Sequence, residues 1–322
     1  MQRWNYTQGV HDLGGGNYTY LQPDRGSGWG WSNSGLVVDG EESLLIDTLR
    51  DEKLTKAMLD AYRGATGLSA RDIGRVVNTH KDGDHWFGNR LMAHAQIIAS
   101  QATAEAMKFA GPRIFLEALR DRPGGILGDY ILKLFGPPFD FEGIDPVLPN
   151  HLFSGRLELK VGDKLVQLIE VGPAHTEGDV IVHVPSSRTV YTGDILFLTN
   201  TPVIWAGPAE NWIKACDLIM SMDVEIVVPG HGPITDKSGV RRVRDYLTYV
   251  RDESRKRFDA GLSVEEAIRD IPLGEYGDWG APERIVINVD YFYREFKGDN
   301  TRRYLFNYLD QLVPIAMKSR RS

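Results

Sequence analysis

The run Val76-Val77-Asn78-Thr79-His80-Lys81-Asp82-Gly83-Asp84-His85 constrains this chain more than any other stretch. It opens as the end of a buried strand over residues 74 to 78 and turns polar within one residue. Four side chains able to hold a metal follow within six positions: His80, Asp82, Asp84 and His85. Gly83 lets the backbone fold tightly enough for neighbouring side chains to converge. Asp84 stands where a helix beginning near Trp86 would take its N-cap. Taken alone, the loop is equally a solvated Asp- and Gly-rich turn between a strand and a helix. What separates the two readings is whether the chain supplies ligand-type residues at other strand ends.

It does so three times. Val171-Gly172-Pro173-Ala174-His175 presents His175, Val190-Tyr191-Thr192-Gly193-Asp194 presents Asp194, and Val227-Val228-Pro229-Gly230-His231 presents His231. Each is an apolar run that ends near Gly or Pro and is followed by a residue with a free donor atom. Strand-end loops are where rigid scaffolds tend to carry catalytic groups.

The rest of the chain supplies the frame. Gly35 to Val38 and Ser43 to Asp47, joined by Asp39-Gly40-Glu41-Glu42, form a hairpin signal. Helical spacing covers residues 51 to 65 and 209 to 222, and a short strand is expected at Gln96 to Ala99. Further strands are expected at 157–160, 165–171, 180–184, 189–191 and 225–228. From about 110 to 150, Gly and Pro alternate with Phe115, Leu116, Tyr130, Leu134, Phe135, Phe139 and Phe141, too apolar for a linker. A helical insertion that packs over something, a lid being one form, fits that composition. Beyond Lys237 the pattern is helical, with Ser263-Val264-Glu265-Glu266 as a capping box.

Together these segments resemble the metallo-β-lactamase-fold hydrolase superfamily, whose pattern is His-x-His-x-Asp-His, a lone His, a bridging Asp and a final His. The resemblance spans roughly residues 30 to 235. It implies an α/β fold, an αββα four-layer sandwich over residues 1–235 with the helical insertion at 110–150, followed by a helical C-terminal extension at 236–322. It also implies two divalent metal ions. His80, Asp82 and His175 would hold the first; Asp84, His85 and His231 would hold the second, with Asp194 bridging. One departure stands out: the family's second histidine is Asp82 here. If Asp82 ligates, zinc remains the expected ion, and iron or manganese become competitors because the ligand set is harder. If it only hydrogen-bonds, the first site is weak.

A metal pair of this kind implies a metallo-hydrolase in which Asp84 or Asp194 passes a proton to the leaving group. Trp29, Trp31, Trp86, Phe87, Phe197 and Trp205 fall on or beside the expected metal-face loops and suggest a cleft for a hydrophobic or aromatic ester, thioester or lactone, free or linked to an acyl carrier. Some of these rings would instead plug the sandwich end. Polyketide cyclases and acyl-carrier-protein thioesterases of the superfamily form one alternative. A β-lactamase is another, weakened because 195–200 carries no lysine for a substrate carboxylate. A di-iron redox enzyme is a third, weakened because no flavodoxin-like segment follows residue 235.

Composition narrows the partners. A net charge of -7 disfavours nucleic acid, whose binders cluster Lys and Arg. The basic end from Lys318 to Ser322 fits a solvated terminus. A single cysteine, Cys216, excludes an internal disulfide and fits a buried small apolar residue on a helix. No apolar run approaches a membrane span, the first twenty residues are too polar for a signal peptide, and the cytoplasm is the default compartment. The C-terminal helices leave open a homodimer contact, packing on the sandwich or cover over the cleft. His11, His94, His151 and His183 are expected to be packing or surface residues.

Overall fold

The computed structural model describes residues 6–23 and 28–318, so residues 319–322 of the basic end lie outside the described part. Seven strands run in chain order across one sheet: β1 (Gly9–Gly14), β2 (Asn17–Leu21), β3 (Ser34–Asp39), β4 (Glu42–Ile46), β5 (Arg75–Val77), β6 (Gln96–Ser100) and β7 (His151–Phe153). The second sheet holds β8 (Arg156–Val161), β9 (Lys164–Glu170), β10 (Val180–Val184), β11 (Thr189–Tyr191) and β12 (Ile226–Val228), again in order.

The helices are α1 (Glu52–Thr66), α2 (Gln101–Met107), α3 (Arg113–Arg120), α4 (Gly125–Phe135), α5 (Ala209–Ser221), α6 (Lys237–Asp259), α7 (Val264–Asp270), α8 (Ile285–Lys297) and α9 (Leu309–Lys318).

Strand alternation builds the four layers. Val37, Leu44, Ile46, Val77 and Ile98 point between the sheets, where they meet Val166, Leu168, Val180, Val182 and Val228. Their immediate neighbours Leu36, Leu45, Val76 and Ile97 point the other way, onto Met58, Leu59 and Tyr62 of α1. In the second sheet Ile181, Val190 and Val227 turn outward onto Trp212, Val243 and Val289 of the helices. A period of two therefore puts successive side chains of one strand into different cores. Each fully buried aliphatic side chain contributes about 1.5–3 kcal/mol, which makes a one-residue register slip prohibitive. This is the αββα sandwich that the resemblance implied.

Local signals end the helices where expected. Asp51 caps α1 by accepting from the Leu54 amide at 2.6 Å, and Gly67 closes it at φ 79°. The Ser263/Glu266 capping box starts α7. The core on the outer face of the second sheet continues past residue 235 without a break, since α5, α6 and α8 share it. The C-terminal helices thus pack on the sandwich.

Two expectations are corrected. No helix begins near Trp86; two short 3-10 segments, Gly83–His85 and Phe87–Met92, stand there, and Asp84 makes no cap. Its carboxylate turns instead toward the metal-capable cluster. Residues 9–21 form the antiparallel pair β1–β2, although that stretch lacks a continuous apolar run. His11 and His151 lie in β1 and β7. His94 is exposed, and His183 is buried within β10 beside Gln167. Among the described residues no helix is long and apolar enough to cross a membrane.

Candidate metal centre

Both sheets end at one edge, and the four ligand-bearing loops meet there. Three hydrogen bonds fix their relative positions. The Val180 amide donates to the Thr79 carbonyl at 2.9 Å and ties the first loop to β10; the Gly230 amide donates to the Gly193 carbonyl at 2.8 Å; the Asn33 amide donates to the Gly230 carbonyl at 2.7 Å. The Asn33 side chain also donates to the Pro229 and Gly232 carbonyls, each at 2.9 Å, which clamps the turn carrying His231.

Two groups of donors result. His80, His175 and Asp194 form one, and Asp84, His85 and His231 form the other; all six side chains are buried. In the first, Asp194 Oδ2 lies 3.6 Å from His80 Nε2 and 3.4 Å from His175 Nε2. In the second, Asp84 Oδ2 lies 3.4 Å from His231 Nε2 and 3.9 Å from His85 Nε2. Asp194 joins them, with Oδ1 at 3.1 Å from His85 Nε2 and Oδ2 at 3.2 Å from His231 Nε2. Donors around a tetrahedral ion bonded at 2.0–2.1 Å stand about 3.3 Å apart, so these spacings fit cation sites.

The imidazoles are also oriented as ligands. His85 Nδ1 lies 2.7 Å from Asp47 Oδ2, His175 Nδ1 2.7 Å from the Val203 carbonyl, His231 Nδ1 3.1 Å from the Trp31 carbonyl, and His80 Nδ1 3.0 Å from Thr79 Oγ1. Anchoring Nδ1 leaves Nε2 as the free donor on each ring. His80 Nε2, His85 Nε2 and Asp194 Oδ1 are buried without a hydrogen-bond partner among the described residues. Groups left so are costly, and a cation pair resolves that cost. The donor set therefore fits a dinuclear metal site.

Asp82 stands at the margin. Its Oδ2 is 3.2 Å from His175 Nε2 and accepts from the Trp205 indole at 3.1 Å, while Oδ1 accepts from Lys81 at 2.8 Å. Burial alone would raise its pKa, but Lys81 and His175 hold it well below the ordinary carboxylate range. Burial likewise opposes ionisation of Asp194, and His231, His85 and His80 outweigh it, so this carboxylate too is held well below the ordinary range.

A cavity of about 500 Å³ opens over the donors. Of the six aromatic residues expected at a cleft, Trp29, Phe197 and Trp205 line it. Trp31, Trp86 and Phe87 do not, because each is spent on packing. Trp31 lies 4.8 Å from the Phe139 ring, Trp86 donates to the Lys81 carbonyl at 2.7 Å, and Phe87 fills the space beside Gly83, where a Cβ would come within 2.3 Å of its ring. The insertion contributes Ile114, Phe115 and Phe135, and the C-terminal part contributes Arg284, Arg302 and residues 304–307. The C-terminal extension therefore also covers the cleft.

Sequence reasoning passed over several residues. Asp47 accepts from His85, from the Thr79 amide and from the Thr79 hydroxyl, all at 2.7 Å. It follows the same strand-then-acid grammar as the ligands, which was the available signal. Arg50 and Arg284 carried none, since nothing local distinguishes an arginine that lines a cavity from one in water.

A model of the Metallo-beta-lactamase superfamily matches residues 27–231, more than half of the 322 residues. The chain is 20% identical over 273 residues to a linear primary-alkylsulfatase of Pseudomonas sp. (strain ATCC 19151), covering 74% of this chain and 49% of that protein. It is 22% identical over 232 residues to a metallo-beta-lactamase type 2 of Bacillus cereus, covering 69% and 75%. The structure of the inverting sec-alkylsulfatase Pisa1 from Pseudomonas sp. superposes with a TM-score of 0.68 at 16% identity, over 90% of this chain and 50% of that one. This chain thus spans about half the length of the alkylsulfatases it matches.

Proposed function

The chain belongs to the metallo-beta-lactamase superfamily, and from that premise we propose that it is a metal-dependent hydrolase of an ester-type bond in a substrate with an apolar or aromatic body. The observation that carries this reading is the pair of donor triads on the floor of an apolar-walled cavity. His80, His175, Asp194 and Asp82 would hold one ion; Asp84, His85, His231 and Asp194 would hold the other. Bound there, two divalent cations acidify a water and polarise the oxygen of the group being cleaved.

The chain's own residues do the rest. Asp194 faces four imidazoles and stays ionised, which suits a bridging ligand and unsuits it as a proton carrier. Asp84 lines the cavity as well as the donor group, so its carboxylate is the one to carry a proton to the departing oxygen or sulfur. Trp29, Trp205 and Phe115 exclude water from the apolar part of the substrate. Zinc is the favoured ion, with iron or manganese as competitors because three carboxylates surround the site. The substrate is a small molecule, free or linked to an acyl carrier.

A panel of aryl esters, thioesters, lactones and alkyl sulfates tests this, the last included because an alkylsulfatase is among the relatives. Cleavage of at least one class that a chelator abolishes and metal restores is the expected result. A protein with both ions in place by elemental analysis, inert to every class, would overturn the proposal.

A further inference from the structure

Arg50 follows β4 and precedes α1, and its side chain is only 6% exposed, yet it lines the cavity. The rings of Phe139, Phe115, Phe141 and Phe135 surround its guanidinium, with centroids 4.6, 5.3, 5.5 and 5.7 Å away. On the remaining side lies Gly30, where a Cβ would come within 1.9 Å of Nη1. The group is thus held flat between a backbone and an aromatic box.

It has no acceptor. Among the described residues no carboxylate lies within 4.0 Å of it and no oxygen accepts from it, and its Nε is buried without a partner. Asp84, Asp51 and Asp82 act on it only through space, while burial works against its charge. The other two buried arginines among the described residues are used differently. Arg257 pairs with Glu253 and with Asp270 at 3.0 Å; Arg284 donates to the Thr201 carbonyl at 2.7 Å and to the Gly28 carbonyl and lies 4.1 Å from the Trp29 ring. Lys81, also at the cavity, is taken by Asp82 at 2.8 Å. Asp82, Asp84 and Asp194 are the charges that a cation pair would neutralise, which leaves the Arg50 guanidinium facing aromatic rings without an anion paired to it at the cavity wall.

Resting on the reading of this cavity as the substrate site, we propose that Arg50 receives an anionic group of the substrate, so that the enzyme acts on amphipathic organic anions rather than neutral esters. A guanidinium offers a planar fork that fits a carboxylate or a sulfur oxyanion through two parallel hydrogen bonds. The apolar body of the same molecule lies against Phe115, Ile114 and Trp205. Arg50 is a specificity residue, and its isolation in the free protein is stability given up for recognition.

The test measures binding, by quenching of pocket tryptophan fluorescence, of octane-1-sulfonate and of octan-1-ol to the metal-loaded protein. The sulfonate should bind at least about tenfold more tightly than the alcohol, the worth of one charge-assisted bond. Arg50→Met should abolish that preference, Arg50→Lys should keep part of it, and the melting temperature of ligand-free Arg50→Met should be unchanged or higher. A purely structural arginine would lower that temperature on removal. Equal binding of both probes by the native protein, or an undiminished preference in Arg50→Met, would overturn the assignment. Turnover of octyl sulfate against an aryl acetate carrying a remote carboxylate then tells whether the anion is the scissile group itself. If the preference holds while no ester is cleaved, the hydrolase reading fails and the Arg50 assignment stands; cleavage of neutral and anionic esters alike gives the reverse.

Discussion

Asp82 Oδ2 lies 3.2 Å from His175 Nε2, the spacing of two donors that share one ion. The same carboxylate is held from outside by Lys81 and Trp205, which fix its direction. If it ligates, Asp82→Asn should lose the ion of the first group, and elemental analysis after gel filtration should fall from two ions per chain toward one. Asp82→His should keep both. Two ions retained in Asp82→Asn would reduce Asp82 to a partner of Lys81.

Asp47 touches no ion site directly, yet it orients His85 and takes both donors of Thr79. Asp47→Ala should weaken metal retention by about 10–100-fold, as loss of an outer carboxylate does. It should also cost about 1–3 kcal/mol of stability from the donors left unpaired. Chelator competition and thermal denaturation measure the two effects separately.

Gly230 sits against the bridging residue. A Cβ at that position would come within 2.0 Å of Asp194 Oδ1 and 2.6 Å of the Gly193 carbonyl carbon. Gly230→Ala should displace Asp194 by a sizeable fraction of an ångström and lower kcat by about 100-fold, a typical penalty for misplaced catalytic groups. Far-ultraviolet circular dichroism should remain native. Full activity in this variant would show that Asp194 has more latitude than its burial suggests.

His183 is remote from the metal centre and gives a pH dependence of its own. Burial and the Arg156 charge push its pKa below the ordinary histidine value. The unfolded chain therefore takes up a proton at higher pH than the folded chain. Stability from this group is fully present above the unfolded value of about 6.5 and is lost as the pH falls toward the depressed folded value. His183→Gln should narrow the difference in melting temperature between about pH 7.5 and pH 5.5. An unchanged difference would mean that other groups carry the acid sensitivity.

Much of this protein is legible locally. Val76 and Val77, or Leu44 and Leu45, face opposite cores because adjacent residues of a strand must, and the capping residues Asp51 and Ser263 mark their helices within one turn. The metal-capable residues share one local pattern, a strand followed by a donor, so they could be picked out one by one. Asp84 misled because the same side chain suits an N-cap and an ion, and a single stretch cannot choose between the two. β1 and β7 were not visible because edge strands are recruited by neighbours rather than by their own apolar content, and β2, paired between β1 and β3, lacks a continuous apolar run.

The amino-acid sequence by itself determined the strand alternation, the capping box of α7 and the candidate donors at the strand ends, since each depends on residues a few positions apart. Only the tertiary structure decided which three of six aromatic residues face the cavity, that Asp47 stands behind His85, and that Arg50 is ringed by phenylalanines with no hydrogen-bond acceptor among the described residues. Those properties rest on contacts between distant parts of the chain, such as Trp29 with Glu283 across 254 positions, and no local periodicity encodes them.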